Sequence, residues 1–304
     1  NYMWIGLIAL FIANFIGGAL SPLFVKLGIR EFPPITFTAL RFIIATLVFL
    51  PFFIKKRERL SLKDNISLSK NSIFFSINVA LYAIGLQYTT VIMSQIFYTL
   101  VPIIVGILSY FILKEKFTKN KIIGSLLAFV GIIFLLVESI QKQQSLTFGT
   151  PLGNFIIFLA VTSWSFYIVL SKRLTGIYSP ITTSFYSFIL TMIILGLIAP
   201  IELLMRPFNI NSVTSSGIFS LLGVGIISSA VSFSLIQFGI KRTTAFSASI
   251  FQYLAPLFAS ITAIPILGEK PTLPLMLGGA LIIFGVFYAT TYQYVKRGIR
   301  YMVK

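Results

Sequence analysis

Cysteine and histidine are absent from this chain, and only 7 of its 304 residues are Asp or Glu. These absences exclude disulfides, thiol and histidine catalysis, and the usual protein ligands of zinc and haem. Charged residues of both signs amount to 10% of the chain, whereas a soluble domain carries about 25%. So small a share cannot cover a folded chain with a hydrated surface. The composition therefore predicts a membrane protein with no metal and no cofactor.

Hydrophobic residues make up 57% of the chain and occur in long runs. A helix needs about 20 mainly apolar residues to cross a bilayer. Ten runs of roughly that length cover 4–26, 35–54, 72–88, 91–113, 119–138, 153–171, 180–205, 215–240, 244–267 and 272–294. No basic segment or cleavage site precedes the first run, so we interpret it as a retained helix. The pattern predicts an all-α membrane protein with ten transmembrane helices.

Most of the 24 Lys and Arg residues cluster at one set of run ends. The opposite ends hold only Arg30, Lys142, Arg206 and Lys270. Because cytoplasmic loops carry the excess of Lys and Arg, both termini are predicted to lie in the cytoplasm. We interpret the net charge of +17 as an orientation signal in the lipid bilayer, with no nucleic-acid partner. The predicted location is the cytoplasmic (inner) membrane.

The two halves of the chain share a pattern. Residues 113–118 read Leu-Lys-Glu-Lys-Phe-Thr, and residues 267–272 read Leu-Gly-Glu-Lys-Pro-Thr. The same offset aligns further prolines, glycines and threonines of the two halves. Each half contains five runs, an odd number, so the second copy must enter the membrane from the opposite side. The sequence predicts two inverted five-helix repeats, 1–145 and 146–304, with a substrate site where they meet.

Polar residues and a proline share one face of the fourth run and of the ninth, at helical spacing. They are Gln95, Tyr98, Thr99 and Pro102 in the fourth run, and Ser249, Gln252, Tyr253 and Pro256 in the ninth. Lipid cannot satisfy an amide or a phenol, so both faces are predicted to point inward. The two prolines interrupt the backbone hydrogen bonds and are predicted to kink or gate the helices. Two interpretations stay open: a substrate cavity, or a kinked helix pair joined by hydrogen bonds.

Other runs add candidate substrate contacts, namely Asn14, Ser21, Asn78, Tyr82, Trp164, Tyr167 and Ser232. A serine hydroxyl in a helix also bonds its own backbone, and aromatic rings also fill a bundle or face lipid. Arg41 is the cation placed well inside a run. An intramembrane charge indicates function, but a structural Arg41 that reaches towards the surface or pairs with a helix-end carbonyl is the alternative.

The fifth and tenth runs carry small residues along one face and almost no polar groups. These are Gly124, Ala128 and Gly131 in the fifth run, and Gly278, Gly285 and Ala289 in the tenth. Small residues allow helices to approach closely. The fifth and tenth helices are therefore predicted to be peripheral, in a monomer or in a homodimer that forms through them.

The arrangement resembles the EamA-type carriers of the drug/metabolite transporter superfamily. The resemblance rests on Lys26–Leu27, Pro33-Pro34, Arg41-Phe42, Tyr88-Thr89-Thr90, Pro102, Glu115, Gly124 and Gly131, and on Trp164, Pro180, Thr243-Thr244, Pro256, Glu269, Gly278 and Gly285. It implies alternating access to a central cavity lined by helices one, three, four, six, eight and nine. Many members have a Trp-Gly pair in the first helix, where this chain has Phe15 and Gly17–Gly18.

These patterns predict a transporter of small organic solutes, most simply amino acids or related metabolites. The mid-membrane segments contain no Asp or Glu, which are the ordinary coupling groups, so we expect facilitated diffusion or exchange. A lipid-linked sugar flippase and a non-transporting sensor or scaffold are the alternatives. An intramembrane enzyme is disfavoured because the chain lacks His, Cys, a Gly-x-Ser-x-Gly elbow and a paired intramembrane Asp.

Overall fold

The computed structural model describes residues 2–56, 58–116, 118–142, 149–206, 208–258, 261 and 273–292. These residues form ten main helices, and none of the described residues is in a strand. The helices are α1 (Met3–Glu31), α2 (Pro34–Lys55), α3 (Leu62–Tyr88), α4 (Met93–Leu113), α5 (Lys119–Lys142), α6 (Pro151–Thr175), α7 (Pro180–Met205), α8 (Ser215–Arg242), α9 (Ala245–Phe258) and α10 (Leu273–Thr290). The predicted all-α fold is confirmed.

Six of these helices are long and apolar enough to cross a membrane: α1, α2, α4, α6, α7 and α8. Helices α9 and α10 are apolar but shorter within the described residues. The predicted ninth run continues to 267, and its last part lies outside the described residues, as do Glu269 and Thr272 of the repeat. Large apolar side chains cover the outside, such as Leu47 (61% exposed) and Leu197 (72%). An exposed apolar surface of this extent indicates that lipid surrounds the helices.

Serine and threonine side chains start most of the helices. Thr90 and Thr244, which the repeat aligns, accept hydrogen bonds from the backbone N–H groups of Met93 and Ser247 at the starts of α4 and α9. Such caps satisfy N–H groups that a helix leaves unpaired. A capping box of Ser61 and Asp64 starts α3 ten residues before the predicted apolar run at 72.

The second helices of the two repeats run antiparallel. Glu202, near the end of α7, accepts hydrogen bonds from the N–H groups of Ile35 (3.0 Å) and Thr36 (2.7 Å) at the start of α2. Glu58, just after α2, accepts a bond of 3.0 Å from the N–H of Ser179, before α7. Each carboxylate also complements the positive end of the helix dipole. Because α2 and α7 occupy equivalent places in the repeats, this pairing confirms the inverted arrangement.

Two equivalent lysines show the same relation. Lys26 Nζ of α1 donates to the carbonyl oxygen of Leu86 at the end of α3, over 2.7 Å. Lys172 Nζ of α6 donates to the carbonyl oxygen of Ile240 at the end of α8, over 2.9 Å. Helix α1 packs on α8, and α3 packs on α6, so the pairing repeats with the units exchanged. The domain boundary between residues 145 and 146 stays a prediction.

Helices α5 and α10 pack against each other through their small residues. A Cβ atom added to Gly124 would lie 2.5 Å from the carbonyl oxygen of Gly285, and one added to Gly131 would lie 2.5 Å from that of Gly278. The two backbones are therefore in direct contact. The small-residue faces are used within the chain, so the predicted homodimer would have to form through the outer faces of α5 and α10.

Candidate functional site

A central cavity of about 110 Å³ lies between the two halves of the bundle. A single water molecule needs roughly 10–15 Å³ by this measure, so the cavity has room for several. Its walls come from α1, α3, α4, α6, α8 and α9, with Arg41 added from α2. The first six are the helices that the family resemblance implies. The contribution of α2 is additional.

Most of the predicted contact residues meet at this cavity. They are Asn14, Ser21, Asn78, Tyr82, Gln95, Tyr98, Trp164, Ser232 and Gln252, together with Arg41. Their roles towards a substrate stay predictions, but the structure brings them to one place. Apolar lining comes from Phe233 and Ile236 of α8. Nothing in the sequence distinguishes these two from the many other apolar residues of that run.

Two π-helical turns shape one wall of the cavity. They cover Ile16–Leu20 in α1 and Val224–Phe233 in α8. In α1, Pro22 cannot donate to the carbonyl of Gly18, so the regular hydrogen-bond ladder is interrupted there. In α8, the Ser229 hydroxyl donates to the carbonyl of Val224, five residues earlier, over 2.9 Å. Turns of this kind occur frequently at functional sites.

Glycines let α1 approach its neighbours at these turns. A Cβ atom on Gly18 would lie 2.5 Å from the Cα atom of Ala255 in α9. The nearest atom to a Cβ on Gly17 would be Ser232 Oγ, at 3.7 Å. Ser232 Oγ donates to the carbonyl of Ala13 over 2.9 Å. A larger side chain at Gly18 would therefore separate α1 from α9 and change the cavity.

Asn78 fixes the opposite wall. Its side-chain amide donates to the Tyr98 hydroxyl over 2.7 Å and to the carbonyl of Ala160 over 2.8 Å. The bonds connect α3 with α4 and with α6. The rings of Tyr82 and Tyr98 meet edge to face, with centroids 5.7 Å apart. Two phenols therefore stand at defined positions beside the cavity.

Arg41 reaches the cavity from α2 and is only 3% exposed. Its Nε donates to the Ser229 hydroxyl over 3.0 Å. The guanidinium carbon lies 4.9 Å from the ring centroid of Phe42 and 6.0 Å from that of Phe233. The side chain therefore points into the bundle, not towards the surface as the snorkelling alternative required.

The described carboxylates lie at helix ends, away from Arg41. Glu31 accepts bonds from Thr214 at the start of α8, and Glu115 accepts one from the N–H of Ala245 at the start of α9. The carboxylates of Glu202, Glu58 and Asp64 bind the starts of α2, α7 and α3. Hydrogen bonds from Tyr178 and Ser61 lower the pKa of the Asp64 carboxyl. Within the described part of the chain, no carboxylate forms a salt bridge with Arg41.

Two buried polar atoms at the cavity lack a hydrogen-bond partner among the described residues. They are Nε1 of Trp164 and Oγ of Ser228. A buried polar group left unpaired costs about 1–3 kcal/mol. Water or a solute in the cavity could satisfy both atoms. Ser228 joins the candidate residues for this reason, and its place in the polar part of the eighth run is the sequence signal for it.

The remaining predicted residues lie outside the cavity lining. The hydroxyls of Thr99 and Ser249 donate to the backbone carbonyls three residues earlier, over 2.6 and 2.8 Å. Tyr167 hydrogen-bonds with Ser187, over 2.9 Å, and with Gln237. Tyr253 is completely buried in the core. These four side chains support the bundle in this conformation.

Both predicted proline kinks coincide with breaks in the helices. The α-helical ladder of α4 stops after Tyr98 and resumes at Val101, next to Pro102. Helix α9 tightens into a 3₁₀ turn at Phe251–Tyr253, just before Pro256. The structure places each break beside the cavity lining. A gating role for the prolines stays a prediction.

Comparison with known proteins agrees with this architecture. Residues 4–137 and 151–291 match the model of the EamA-like transporter family. The chain belongs to the EamA-like transporter family. The two matched segments correspond in extent to the two five-helix halves. Family membership and transporter relatives point to a membrane transporter rather than an enzyme.

Relatives of this EamA-like chain are named as transporters without a stated substrate. An uncharacterized transporter of Archaeoglobus fulgidus is 25% identical, over 90% of this chain and 93% of its own. The uncharacterized transporter YetK of Bacillus subtilis is 29% identical, over 86% of this chain and 80% of its own. A crystal structure with 21% identity superimposes with a TM-score of 0.74, over 96% of this chain and 98% of that one, which supports the fold.

Proposed function

We propose that this protein carries small organic solutes, amino acids or related metabolites, across the membrane by alternating access to the central cavity. The observation that supports this most is the cavity itself. Amide, phenol, indole and hydroxyl groups from both halves surround it, inside a bundle with an apolar exterior. Polar groups of this kind are expensive in lipid and mark solute pathways in membrane proteins.

The proposed motion is rocking of the 1–145 unit against the 146–304 unit. Inverted repeats with a site between them are the usual basis of such motion in transporters. The breaks beside Pro102 and Pro256 supply one flexible point in each unit. In this proposal the protein lies in the cytoplasmic (inner) membrane, and both termini and the Lys55 end of α2, where most Lys and Arg lie, face the cytoplasm.

The proposed mode is facilitated diffusion or exchange. Among the described residues, the cavity lining includes no Asp or Glu. Proteoliposomes with an imposed pH gradient test this directly. We expect saturable flux that equilibrates the solute and is stimulated by solute on the opposite side. Uphill accumulation driven by the pH gradient would contradict the proposed mode.

The main test of transport is uptake of labelled amino acids into proteoliposomes that contain the wild-type protein. The same uptake is measured with the Gln252→Ala variant, which lacks one amide of the cavity lining. Losing one or two uncharged hydrogen bonds to a solute predicts a loss of roughly 2- to 10-fold in apparent affinity. Thr162→Val is the matched control, because the Thr162 hydroxyl only bonds its own helix at the carbonyl of Phe158. If no metabolite is taken up saturably by the wild-type protein, the transport proposal is wrong.

Labelling of single cysteines separates a carrier from a scaffold, since the natural chain has no Cys. In a carrier, Gln95→Cys and Gln252→Cys react with a water-soluble maleimide, and substrate slows the reaction. A flippase would need a polar lateral opening. The groove between α2, α7 and α8 is lined almost entirely by apolar side chains such as Phe49, Phe52 and Leu235, which does not favour a sugar head group.

A further inference from the structure

Arg41 is the charged residue among those that line the cavity. A cation held away from water is costly unless an anion or several hydrogen-bond acceptors surround it. Here one of its five N–H groups is used, by Ser229. No acidic side chain of the described residues pairs with it. The site is therefore incomplete on the anionic side.

The protein holds the Arg41 guanidinium in a fixed orientation. The Ser229 hydroxyl accepts a hydrogen bond from the Arg41 Nε–H and donates one to the carbonyl of Val224, so the acceptor is itself fixed. The rings of Phe42 and Phe233 lie within cation–π distance of the guanidinium carbon. The two terminal nitrogens have no hydrogen-bond partner among the described residues. A guanidinium fork in that state matches the two oxygens of a carboxylate.

The unpaired polar atoms nearby have complementary chemistry. The indole Nε1 of Trp164 can only donate, and the Ser228 hydroxyl has no partner. The terminal nitrogens of Arg41 also can only donate. A ligand that satisfies this set must offer acceptors, and a carboxylate offers acceptors alone. A solute whose only charge is an ammonium would leave the donors unpaired and place two cations together.

We propose that the cavity recognises its solute through a carboxylate bound to Arg41, with Trp164 and Ser228 as further donors. The inference deepens the proposed function, because it takes the cavity as the solute site. The shared chemistry is that of a small monoanion, which is either the carboxylate of an organic solute or an inorganic anion such as chloride. We assign the carboxylate, since three separate donor groups surround a space larger than one ion needs.

The test compares matched compounds on the purified full-length protein by thermal shift and calorimetry. Each of the twenty common amino acids is tested, and every binder is compared with its carboxamide, its decarboxylated amine and the acid without the amino group. For leucine these are leucinamide, 3-methylbutylamine and 4-methylpentanoate. We expect the acids to bind and the amides and amines to lose roughly 10- to 100-fold in affinity, as a charged hydrogen-bond pair implies.

Variants then locate the carboxylate. In Arg41→Gln the preference for acid over amide should disappear, and Arg41→Lys should retain part of it. Arg206→Gln is the matched control, because Arg206 bonds Gln87 at an exposed helix end, and it should keep the full preference. Ser229→Ala leaves the charge in place and should weaken acid binding less. If Arg41→Gln fails to fold, the binding of acids, amides and amines to the wild-type protein and to Ser229→Ala still tests the inference.

The inference is overturned if amides bind the wild-type protein as tightly as their acids, or if no acid binds it. The second arm of the test titrates sodium chloride into protein in chloride-free buffer and measures the thermal shift. Chloride stabilisation that depends on Arg41, with no competition from any acid, would show an inorganic anion site instead. Saturable flux of amines or amides that is unchanged in Arg41→Gln would refute the inference and leave the transport proposal intact. Acid binding that depends on Arg41, without any flux, would support the inference and refute the transport proposal.

Discussion

Trp164 combines two environments in one side chain. Its ring packs against Tyr167, with centroids 5.2 Å apart, and against Phe233 at 5.8 Å. Its N–H is buried at the cavity without a described partner. The aromatic contacts stabilise the fold, whereas the unpaired donor does not. The two contributions can be separated by a substitution that keeps an aromatic ring and removes the donor.

Trp164→Phe should therefore change the melting temperature little, because removing an unpaired buried donor recovers about 1–3 kcal/mol and offsets the packing lost with the smaller ring. Solute affinity should fall by roughly 2- to 10-fold, since one hydrogen bond to the solute is lost. The measurements are thermal unfolding in detergent and calorimetric binding. Trp4→Phe is the control, because Trp4 is 45% exposed on the outside. A strong loss of stability with unchanged binding would contradict this assignment.

At the scale of an element, the α5–α10 pair depends on glycine. The close approach at Gly124 leaves no space for a methyl group, because the nearest atom is a backbone oxygen of the partner helix. Gly196 of α7 offers a contrast, since nothing lies within 4 Å of a Cβ atom placed there. Both residues lie in helices of the same membrane bundle, so the pair isolates the effect of packing.

Gly124→Ala should destabilise the protein by about 1–3 kcal/mol, the usual cost of overpacking. Gly196→Ala should be neutral or stabilise it by up to about 1 kcal/mol, because alanine favours the helix. Unfolding in mixed detergent micelles, followed by circular dichroism, measures both. Equal stability of the two variants would show that the contact between α5 and α10 accommodates a methyl group without cost.

Elements could be predicted from the sequence better than the site could. The apolar runs predicted the ten helices. The odd number of runs in each half predicted that the second half is inverted. Of the two predicted stripes, Gln95, Tyr98 and Gln252 line the cavity, whereas Thr99, Ser249 and Tyr253 do not. In α9 the 3₁₀ turn at Phe251–Tyr253 interrupts the 3.6-residue period on which the stripe depends.

The environment of Arg41 had no sequence signal of its own. Its partner Ser229 is 188 positions away in the chain, and it meets Arg41 only because α2 packs on the π-helical part of α8. Sequence reasoning left two alternatives for this residue. Long-range packing, which periodicity does not encode, decides between pointing outward and pointing inward.

At the scale of the whole molecule, carboxylates join the two units at both ends of the bundle. Glu31 and Glu202 connect the units at the end where α1 finishes. Glu58 and Glu115 connect them at the opposite end. Alternating access requires one set of contacts to open while the other stays closed. In the proposed motion, the balance between the two sets would therefore control which side of the membrane the cavity faces.

Weakening one set should shift that balance. In a Gln95→Cys background, Glu31→Gln with Glu202→Gln should increase labelling from the outside several-fold, because each partly exposed contact contributes about 1 kcal/mol. Glu58→Gln with Glu115→Gln should decrease it. The rate of modification by an impermeant thiol reagent on intact cells measures both. Changes in the same direction would contradict an opposing pair of gates.

The backbone contact between α5 and α10 has a mechanical consequence. One helix of each unit takes part, and the glycine-to-oxygen approach leaves no loose layer of side chains between them. Relative rotation of the units would then turn about this line as about a fulcrum. Displacement grows with distance from a fulcrum, so helices remote from this contact, such as α2 and α7, would move further than α5 and α10 themselves.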